Sequence, residues 1–367
     1  MKVPFVDLYA QYLDIRKDID SAIEKTIRAS SYIGGADVKE FEKEFAAWVG
    51  VGHVIACGNG TDSIEILLKA HGVGAGDEVL VPAISWISTS EAVTSAGATP
   101  VFVDIEEDYF SIDVTRIEAA ITKKTKAIIP VHLYGHPADM PAIMALAAKH
   151  GIVVIEDCAQ SHGARIDGKA AGTFGHAASF SFYPGKNLGA YGDAGCMATN
   201  DTAIAEKVRM IAQHGQKGKH NHLIEGRNSR LDGLQAAILR AKLPHLDSWT
   251  ERRIANAARY DQALKGSKAC LPKTRTGSRH VFHLYVIRID DRDAVQAKLE
   301  NAGIETAIHY PTPLPFLPCY AHLGHKPEDF PIASACRRSI LSIPMFAELT
   351  EEQIAHVATA LPRTYVR

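Results

Sequence analysis

Short apolar segments alternate with helical segments between about residues 50 and 200, and this alternation limits the possible folds more than any other feature of the chain. Near-continuous apolar runs are typical of strands that are covered on both faces, and helices between them indicate crossover connections. Strands are predicted at residues 53–57, 78–82, 100–104, 126–131, 152–156, 178–182 and 196–199. Helices are predicted between them at residues 61–70, 85–96, 114–121, 140–150 and 203–214. We therefore expect an α/β fold with a mostly parallel central sheet, which binds its ligand at the carboxyl ends of the strands.

The alternating pattern ends near residue 246, where we place a domain boundary. The predicted large α/β domain spans residues 1–246 and includes a helix at 13–29 that is expected to pack across both domains. The predicted small α+β domain spans residues 247–367, with elements at 248–265, 281–289 and 293–302 and a final helix from about residue 350. Thr350 and Gln353 have the spacing of a capping box, which supports the start of that last helix.

Charge and composition narrow the class of protein. With 40 basic and 42 acidic residues the net charge is −2, which provides no basic field for nucleic acid or an anionic membrane. No apolar run approaches the ~18 residues of a membrane span, and the N-terminus lacks the apolar core of a signal peptide. The six cysteines are scattered without a metal-type cluster. We expect a cytoplasmic protein with reduced thiols, no metal site, and no nucleic-acid or membrane partner.

Asp157 stands directly after the apolar strand predicted at 152–156. The alternative to a functional role is a helix N-cap. A carboxylate at the end of a buried strand needs a cationic partner, however, and a protonated pyridine nitrogen would supply one. That pairing keeps the ring electron-withdrawing, as the chemistry of pyridoxal phosphate (PLP) requires. Gln160, three residues further on, is positioned to bond the ring hydroxyl.

Lys186 lies in the glycine-rich segment Ser-Phe-Ser-Phe-Tyr-Pro-Gly-Lys-Asn-Leu-Gly-Ala-Tyr-Gly-Asp-Ala-Gly, residues 179–195. A lysine in a turn behind a strand can form a Schiff base with a carbonyl compound. Most lysines in such loops are only solvated, so the segment gains its meaning from Asp157. Together the two residues predict a PLP site in which Lys186 carries the cofactor.

A phosphate site is predicted where residues 57–63, Cys-Gly-Asn-Gly-Thr-Asp-Ser, join a strand to a helix. The backbone amides of Gly60, Thr61 and Asp62 and the Thr61 hydroxyl form a natural cradle, to which the Ser181 hydroxyl is added. The segment has neither the P-loop nor the dinucleotide spacing. An ordinary capped turn is the alternative.

Trp86 follows a predicted strand end, in the sequence Val-Pro-Ala-Ile-Ser-Trp. A tryptophan there is either part of the core or stacks on the cofactor ring, where it would exclude water.

The order of these motifs resembles that of the DegT/DnrJ/EryC1/StrS sugar aminotransferases, which are fold-type I PLP enzymes. The resemblance extends over nearly the whole chain, through residues 3–8, 60–61, 130–140, 156–163, 179–195, 226–238, 309–311 and 341–346. It implies that Lys186 forms the Schiff base and later transfers the proton, while Asp157 pairs with the pyridine nitrogen. It also implies a homodimer, because Asn228 matches a position that reaches the phosphate of the neighbouring subunit's cofactor.

The resemblance further places Arg230, His309 and Tyr310 near the nucleotide-sugar; a surface ion pair and a packed aromatic turn are the alternatives. His162 is a candidate hexose contact or a structural histidine. Residues 311–316, Pro-Thr-Pro-Leu-Pro-Phe, depart from relatives that carry histidine or a polar residue, which leaves substrate contacts there open.

The activity that the resemblance implies is transamination of a dTDP- or UDP-linked keto-sugar, with glutamate as amino donor and an amino-sugar for a surface glycan, such as the O-antigen of lipopolysaccharide, as product. Residues 3–7 and 159–163 resemble members that act on 3-keto-sugars. The alternatives are a 4-keto-sugar aminotransferase, similar to perosamine synthase, and a non-catalytic regulatory member. A related dehydratase branch replaces the lysine by histidine, so Lys186 argues against it.

Overall fold

A seven-stranded sheet lies at the centre of the computed structural model, which describes residues 1–362. The strands are β1 (His53–Cys57), β2 (Glu78–Pro82), β3 (Thr99–Val103), β4 (Thr125–Ile128), β5 (Val153–Asp157), β6 (Arg165–Ile166), β7 (Lys169–Ala170), β8 (Ala177–Ser181), β9 (Gly195–Thr199), β10 (Ser278–Arg279), β11 (Tyr285–Arg288) and β12 (Ile340–Ile343). The α-helices are α1 (Leu8–Asp14), α2 (Arg16–Ala29), α3 (Ala36–Val49), α4 (Gly60–Ala70), α5 (Ser88–Ser95), α6 (Val114–Ala120), α7 (Met140–His150), α8 (Thr202–Ala212), α9 (Gly233–Lys242), α10 (Leu246–Ala263), α11 (Arg292–Asn301), α12 (Pro331–Ser339) and α13 (Glu351–Ala360). The predicted α/β fold class is confirmed, and the ends of the seven predicted strands lie within three residues of the observed ends.

The topology of the central sheet gathers several strand ends at one edge. The strand order is β1-β9-β8-β5-β4-β2-β3, and β9 alone runs against its neighbours. The carboxyl ends of β1, β5 and β8 therefore lie on the same side. Gly195, at the start of β9, pairs with both Cys57 and Ser181 there. This edge is where ligands bind in sheets of this kind.

The sheet is covered on both faces, and successive residues of β1 show why. Ile55 packs with Leu67 of α4 on one face, whereas Val54 and Ala56 pack with Phe45 of α3 on the other. Each buried side chain of this kind contributes about 1.5–3 kcal/mol of transfer free energy. The near-continuous apolar sequence of the strands follows from this double coverage.

The N-terminal region contains more helix than the sequence predicts. The single helix expected at 13–29 is two helices, α1 and α2, which meet at Ile15, and α3 was not predicted. Helix α2 packs its Ile19 against Ile238 of α9, and the same cluster includes Trp249 of α10 and Ala347. The N-terminal helices therefore contact both the large and the small predicted domains.

The C-terminal part of the chain packs α10, α11 and α13 around the antiparallel pair β11–β12. The capping box at the start of α13 is confirmed: Gln353 N donates to Thr350 Oγ1 (3.2 Å) and Thr350 N donates to Gln353 Oε1 (2.9 Å). The division at residue 246 stays a prediction, and residues 363–367 of the predicted small domain lie outside the described part. Within residues 1–362, no helix has both the length and the apolar character needed to cross a membrane.

Candidate active site

Asp157 ends β5 at the functional edge of the sheet, and its carboxylate is buried, with 5% of the residue exposed. Thr89 Oγ1 donates to Oδ2 (2.9 Å), and Ala159 N donates to Oδ1 (3.1 Å). Because Thr89 uses its only hydrogen for Asp157, its contact with Ser85 Oγ (2.8 Å) must be a bond donated by Ser85. Asp157 has no ion-pair partner among the side chains of residues 1–362. The site therefore holds an oriented carboxylate that can accept a further bond from a cation.

Gln160 is fixed by two bonds from opposite directions. Tyr134 N donates to Oε1 (2.7 Å), which identifies the oxygen end of the amide, and Nε2 donates to the Tyr310 hydroxyl (3.1 Å). The second N–H of Nε2 stays available for a ligand oxygen, as the predicted contact with a ring hydroxyl requires.

His309 and Tyr310 come to the same place from the C-terminal part of the chain. The Tyr134 hydroxyl donates to the His309 carbonyl, and His309 Nδ1 bonds Ser342 Oγ (2.8 Å). The Tyr310 ring lies 5.6 Å from the Trp86 ring at 43°. Trp86 itself is 57% exposed, so it is not a core residue. The structure thus brings these predicted cofactor and substrate residues together.

Lys186 is held in a tight loop behind β8, in which Lys186 N donates to Tyr183 O and Ala190 N donates to Phe182 O, both at 2.8 Å. Burial lowers the pKa of the Lys186 amine to about 8, and the nearby Asp157 carboxylate offsets part of that effect. A lysine with this pKa has a substantial neutral fraction near physiological pH, and the neutral amine is the nucleophile.

The lowered pKa makes a prediction for the cofactor-free protein. We expect the reaction rate of Lys186 with an aldehyde to rise with pH up to a midpoint of about 8 and then to level off. For an ordinary lysine the midpoint of this rise lies at about pH 10.4, because the amine stays charged below that pH. Reductive methylation, quantified by mass spectrometry of the Lys186 peptide, measures the midpoint. A midpoint near 10 would contradict the lowered pKa of the Lys186 amine.

Asn187, the residue next to the reactive lysine, is held by His283. The sequence analysis singled out neither residue. His283 Nδ1 lies 3.0 Å from Asn187 Oδ1 and must donate, because an amide oxygen only accepts. Burial lowers the pKa of His283 well below its usual value, so the ring is neutral and its Nε2 carries a lone pair. The pair is invisible to local motifs because 96 residues separate its members.

The predicted phosphate cradle lies at the start of α4. Asn59 caps the helix by accepting from Asp62 N (2.8 Å), and Thr61 Oγ1 bonds Ser88 Oγ (2.7 Å). A β-carbon at Gly60 would lie 2.8 Å from Ser181 Cβ, so the cradle and the Ser181 strand end meet there without a side chain between them. The positive end of the helix favours an anion at this point.

The structure does not support the phosphate contact that is predicted for Asp62. Its N–H donates to Asn59, and its carboxylate pairs with Arg227 Nη2 at 2.7 Å. Neither group is left for a phosphate, and the carboxylate itself would repel one. Asp62 is predicted in the cradle because it stands in the first turn of the helix. Its N–H, however, is bonded to the N-cap residue Asn59.

His162 is a core residue in this structure, with 0% of its surface exposed. Its ring packs near the rings of Phe45, Phe180 and Phe182, at centroid distances of 6.4, 5.7 and 5.6 Å. Burial and the charge of Lys186 lower the pKa of His162 to about 3 and keep it neutral. The predicted sugar contact is therefore not supported. The structural role that the sequence left open rests on packing alone, because neither ring nitrogen has a hydrogen-bond partner among residues 1–362.

Asn228 and Arg230 have exposed side chains on either side of the buried Ser229. Gly58 N donates to Ser229 Oγ (3.1 Å), which fixes this segment beside the end of β1. Both side chains are thus free to face a neighbouring molecule, and their roles stay predictions.

His132, Glu156 and Cys158 lie close enough together to suggest a metal site, but the polar atoms of His132 and Glu156 are already used. Glu156 accepts from His132 Nε2 and from the amides of Gly172, Phe174 and Gly175, at 2.7–2.9 Å. His132 Nδ1 accepts from Ala138 N at 3.0 Å. Glu156 thus holds the segment between β7 and β8, and the cluster has no free pair of ligand atoms.

Comparison with known proteins agrees with this geometry. A "Pleiotropic regulatory protein" of Geobacillus stearothermophilus is 49% identical, over 100% of this chain and 99% of that protein. The UDP-N-acetyl-3-dehydro-alpha-D-glucosamine 3-aminotransferase of Acidithiobacillus ferrooxidans is 46% identical, over 99% and 98%. The crystal structure of S. venezuelae DesV in complex with a ketimine intermediate matches with a TM-score of 0.96 at 43% identity, over 98% and 97% of the two chains. The sequence model of one family matches residues 13–362, and the chain belongs to that family, the DegT/DnrJ/EryC1/StrS aminotransferases.

Proposed function

We propose that the protein is a PLP-dependent aminotransferase that converts a nucleotide-linked 3-keto-sugar to the 3-amino-sugar. The observation that carries this proposal is that two unusual groups lie near each other at one edge of the sheet. Asp157 is a buried, oriented carboxylate that forms no ion pair with any side chain of residues 1–362, and Lys186 is an amine whose pKa burial lowers to about 8. Each is costly to build without a ligand, and PLP satisfies both.

The remaining residues fit the other parts of the cofactor. The N-terminus of α4, with Thr61 and Ser181, would hold the phosphate, and the free N–H of Gln160 would bond the ring hydroxyl. The exposed Trp86 ring is available to cover one face of the pyridine ring. When bound, PLP withdraws electrons from the carbon atom that carries the substrate nitrogen.

Lys186 and Asp157 have distinct tasks in this scheme. The Lys186 amine would take a proton from the substrate carbon that carries the nitrogen and return it to the carbon on the other side of that nitrogen, a general acid–base role that a pKa near neutrality favours. Asp157 would keep the pyridine nitrogen protonated, because a buried carboxylate stabilises a cation next to it.

The position of the keto group rests on the relatives. The A. ferrooxidans relative, at 46% identity over nearly the full chain, is named as a 3-aminotransferase of a 3-dehydro sugar. The relative named as a regulatory protein raises the non-catalytic alternative. A protein without catalysis has no physical need for a lysine of lowered pKa near a buried carboxylate and a bonded glutamine, so we favour the enzyme.

The test is a panel of UDP- and dTDP-linked sugars that carry the keto group at C3 or at C4. Each is incubated with the holoenzyme and ¹⁵N-glutamate, our proposed donor, and products are analysed by mass spectrometry and NMR. We expect ¹⁵N at C3. Amination at C4 alone would overturn the keto position. If no sugar gains ¹⁵N from glutamate, or from any other ¹⁵N-labelled amino acid offered in its place, the aminotransferase proposal is overturned.

We further propose a homodimer in which Asn228 completes the site of the partner. Exposed apolar side chains support a covered surface: Trp86 lies beside Tyr310, Tyr183 lies in the Lys186 loop, and Leu223 is exposed in the segment before Asn228. Mixing Lys186→Ala protein with Asn228→Ala protein tests the arrangement. If Asn228 acts across the interface, hybrid dimers regain one intact site, and about a quarter of wild-type activity returns. No recovery on mixing of exchanged subunits would contradict a shared site.

The six cysteines are free, two of them exposed, which supports a reducing, cytoplasmic location. The expected use of the product in a surface glycan such as the O-antigen follows from the sugar-nucleotide substrate class.

A further inference from the structure

A second lysine, Lys242 at the end of α9, is buried with only 2% of the residue exposed. Its Nζ donates to the carbonyl of Gly189 (2.8 Å) and lies 4.4 Å from the centre of the Tyr191 ring. Both contacts fall in the loop that carries Lys186, three and five residues downstream of it.

Gln235, on the same helix, provides another anchor for this loop. Its Oε1 accepts from Tyr191 N at 2.8 Å. Gln235 and Lys242 are seven residues apart, which is about two turns, so they project from one face of α9. The helix therefore holds the Gly189–Tyr191 segment at two points.

The contact with Gly189 is made where the loop is most tightly closed. A β-carbon at Gly189 would overlap the carbonyl of Pro184, so the two ends of the turn around Lys186 touch at this residue. A bond to the Gly189 carbonyl consequently fixes the whole turn, including the backbone of Lys186.

Burying an amine in this space is energetically unfavourable, because the charged form loses its hydration. Burial lowers the pKa of Lys242 to about 8, and only the Glu348 carboxylate offsets the effect. A methionine would fill a similar volume without that cost. The hydrogen bond to the Gly189 carbonyl is therefore the interaction that an amine provides here and a methionine would not.

We propose that Lys242 is a positioning residue, which fixes the loop around Lys186 and thereby holds the half-buried Lys186 side chain in place. The relevance of this residue to catalysis rests on the proposed function, whereas the structural claim does not.

The experiment compares Lys242→Met with wild type in the full-length, cofactor-free protein. One readout is the pH midpoint of Lys186 reductive methylation, and the other is amide hydrogen exchange in residues 185–191. We expect the midpoint to move from about 8 toward the usual 10.4 as Lys186 becomes solvated, with exchange at least about tenfold faster.

The matched control is Arg240→Met, on the same helix. It removes the pairs of Arg240 with Asp37 (2.6 Å) and Glu44 (2.7 Å), which lie away from the loop. We expect it to lower stability but to leave the midpoint and the exchange of 185–191 unchanged. An unchanged midpoint in Lys242→Met, or an equal shift in the control, would overturn the proposal.

Gln235→Leu provides the test if Lys242→Met does not fold. It removes the second anchor, so we expect shifts in the same direction but smaller; no shift there would refute the two-point attachment. None of these measurements uses a sugar or an amino donor, so failure of the transamination proposal and failure of this one are distinguishable.

Discussion

Replacing Lys186 by alanine is expected to lower transamination by at least about 10³-fold and to remove the covalent attachment of PLP. The variant lacks both the amine that binds the cofactor and the group that moves the proton, and general acid–base catalysis alone accounts for about 10²–10⁴-fold. Single-turnover conversion of a 3-keto-sugar nucleotide, with the visible absorbance of the bound cofactor, measures both losses.

Lys149→Ala is a suitable control because this lysine is exposed on α7, where it pairs with Glu118. It should retain wild-type activity and absorbance. Activity of Lys186→Ala within tenfold of wild type would remove Lys186 from the chemistry.

Asp157→Asn is expected to lower kcat by about 10²–10³-fold, the size of effect seen when one electrostatic group is removed from an active site. Asparagine has the same shape, and its oxygen can still accept from Thr89 or Ala159. The loss therefore measures the negative charge opposite the pyridine nitrogen. Steady-state kinetics at saturating PLP separate this effect from weaker cofactor binding.

Asp104→Asn is the matched control for a buried carboxylate. Asp104 accepts from Ile332 N and Ala333 N, both at 3.0 Å, and so caps α12 away from the proposed chemistry. We expect a loss of about 1–3 kcal/mol in the free energy of unfolding with activity retained. Equal losses of activity in the two variants would mean that Asp157 acts through folding alone.

The sequence predicts the sheet well because strands buried on both faces must be apolar throughout. Asp157, Gln160 and Lys186 follow from local signals, namely a carboxylate at a strand end, an amide three residues on, and a lysine in a glycine-rich turn. In the structure the first two are held by hydrogen bonds from Thr89 and Tyr134, and their contacts with a cofactor stay predictions.

Other parts depend on tertiary contacts that local patterns do not encode. Thr89 bonds Asp157 across 68 residues, and the Lys242 contact with Gly189 spans 53. His162 stands beside a functional motif, but three phenylalanines from distant segments enclose it. The Asp62 carboxylate forms an ion pair with Arg227, which lies in a loop distant in sequence.

Reduction of the holoenzyme with borohydride, followed by digestion and mass spectrometry, tests most directly whether Lys186 carries PLP. The reagent makes the bond between the lysine and the cofactor permanent. We expect the phosphopyridoxyl group on the peptide that contains Lys186 and on no other. The group on Lys242, whose pKa burial likewise lowers to about 8, or on no lysine at all, would contradict the assignment.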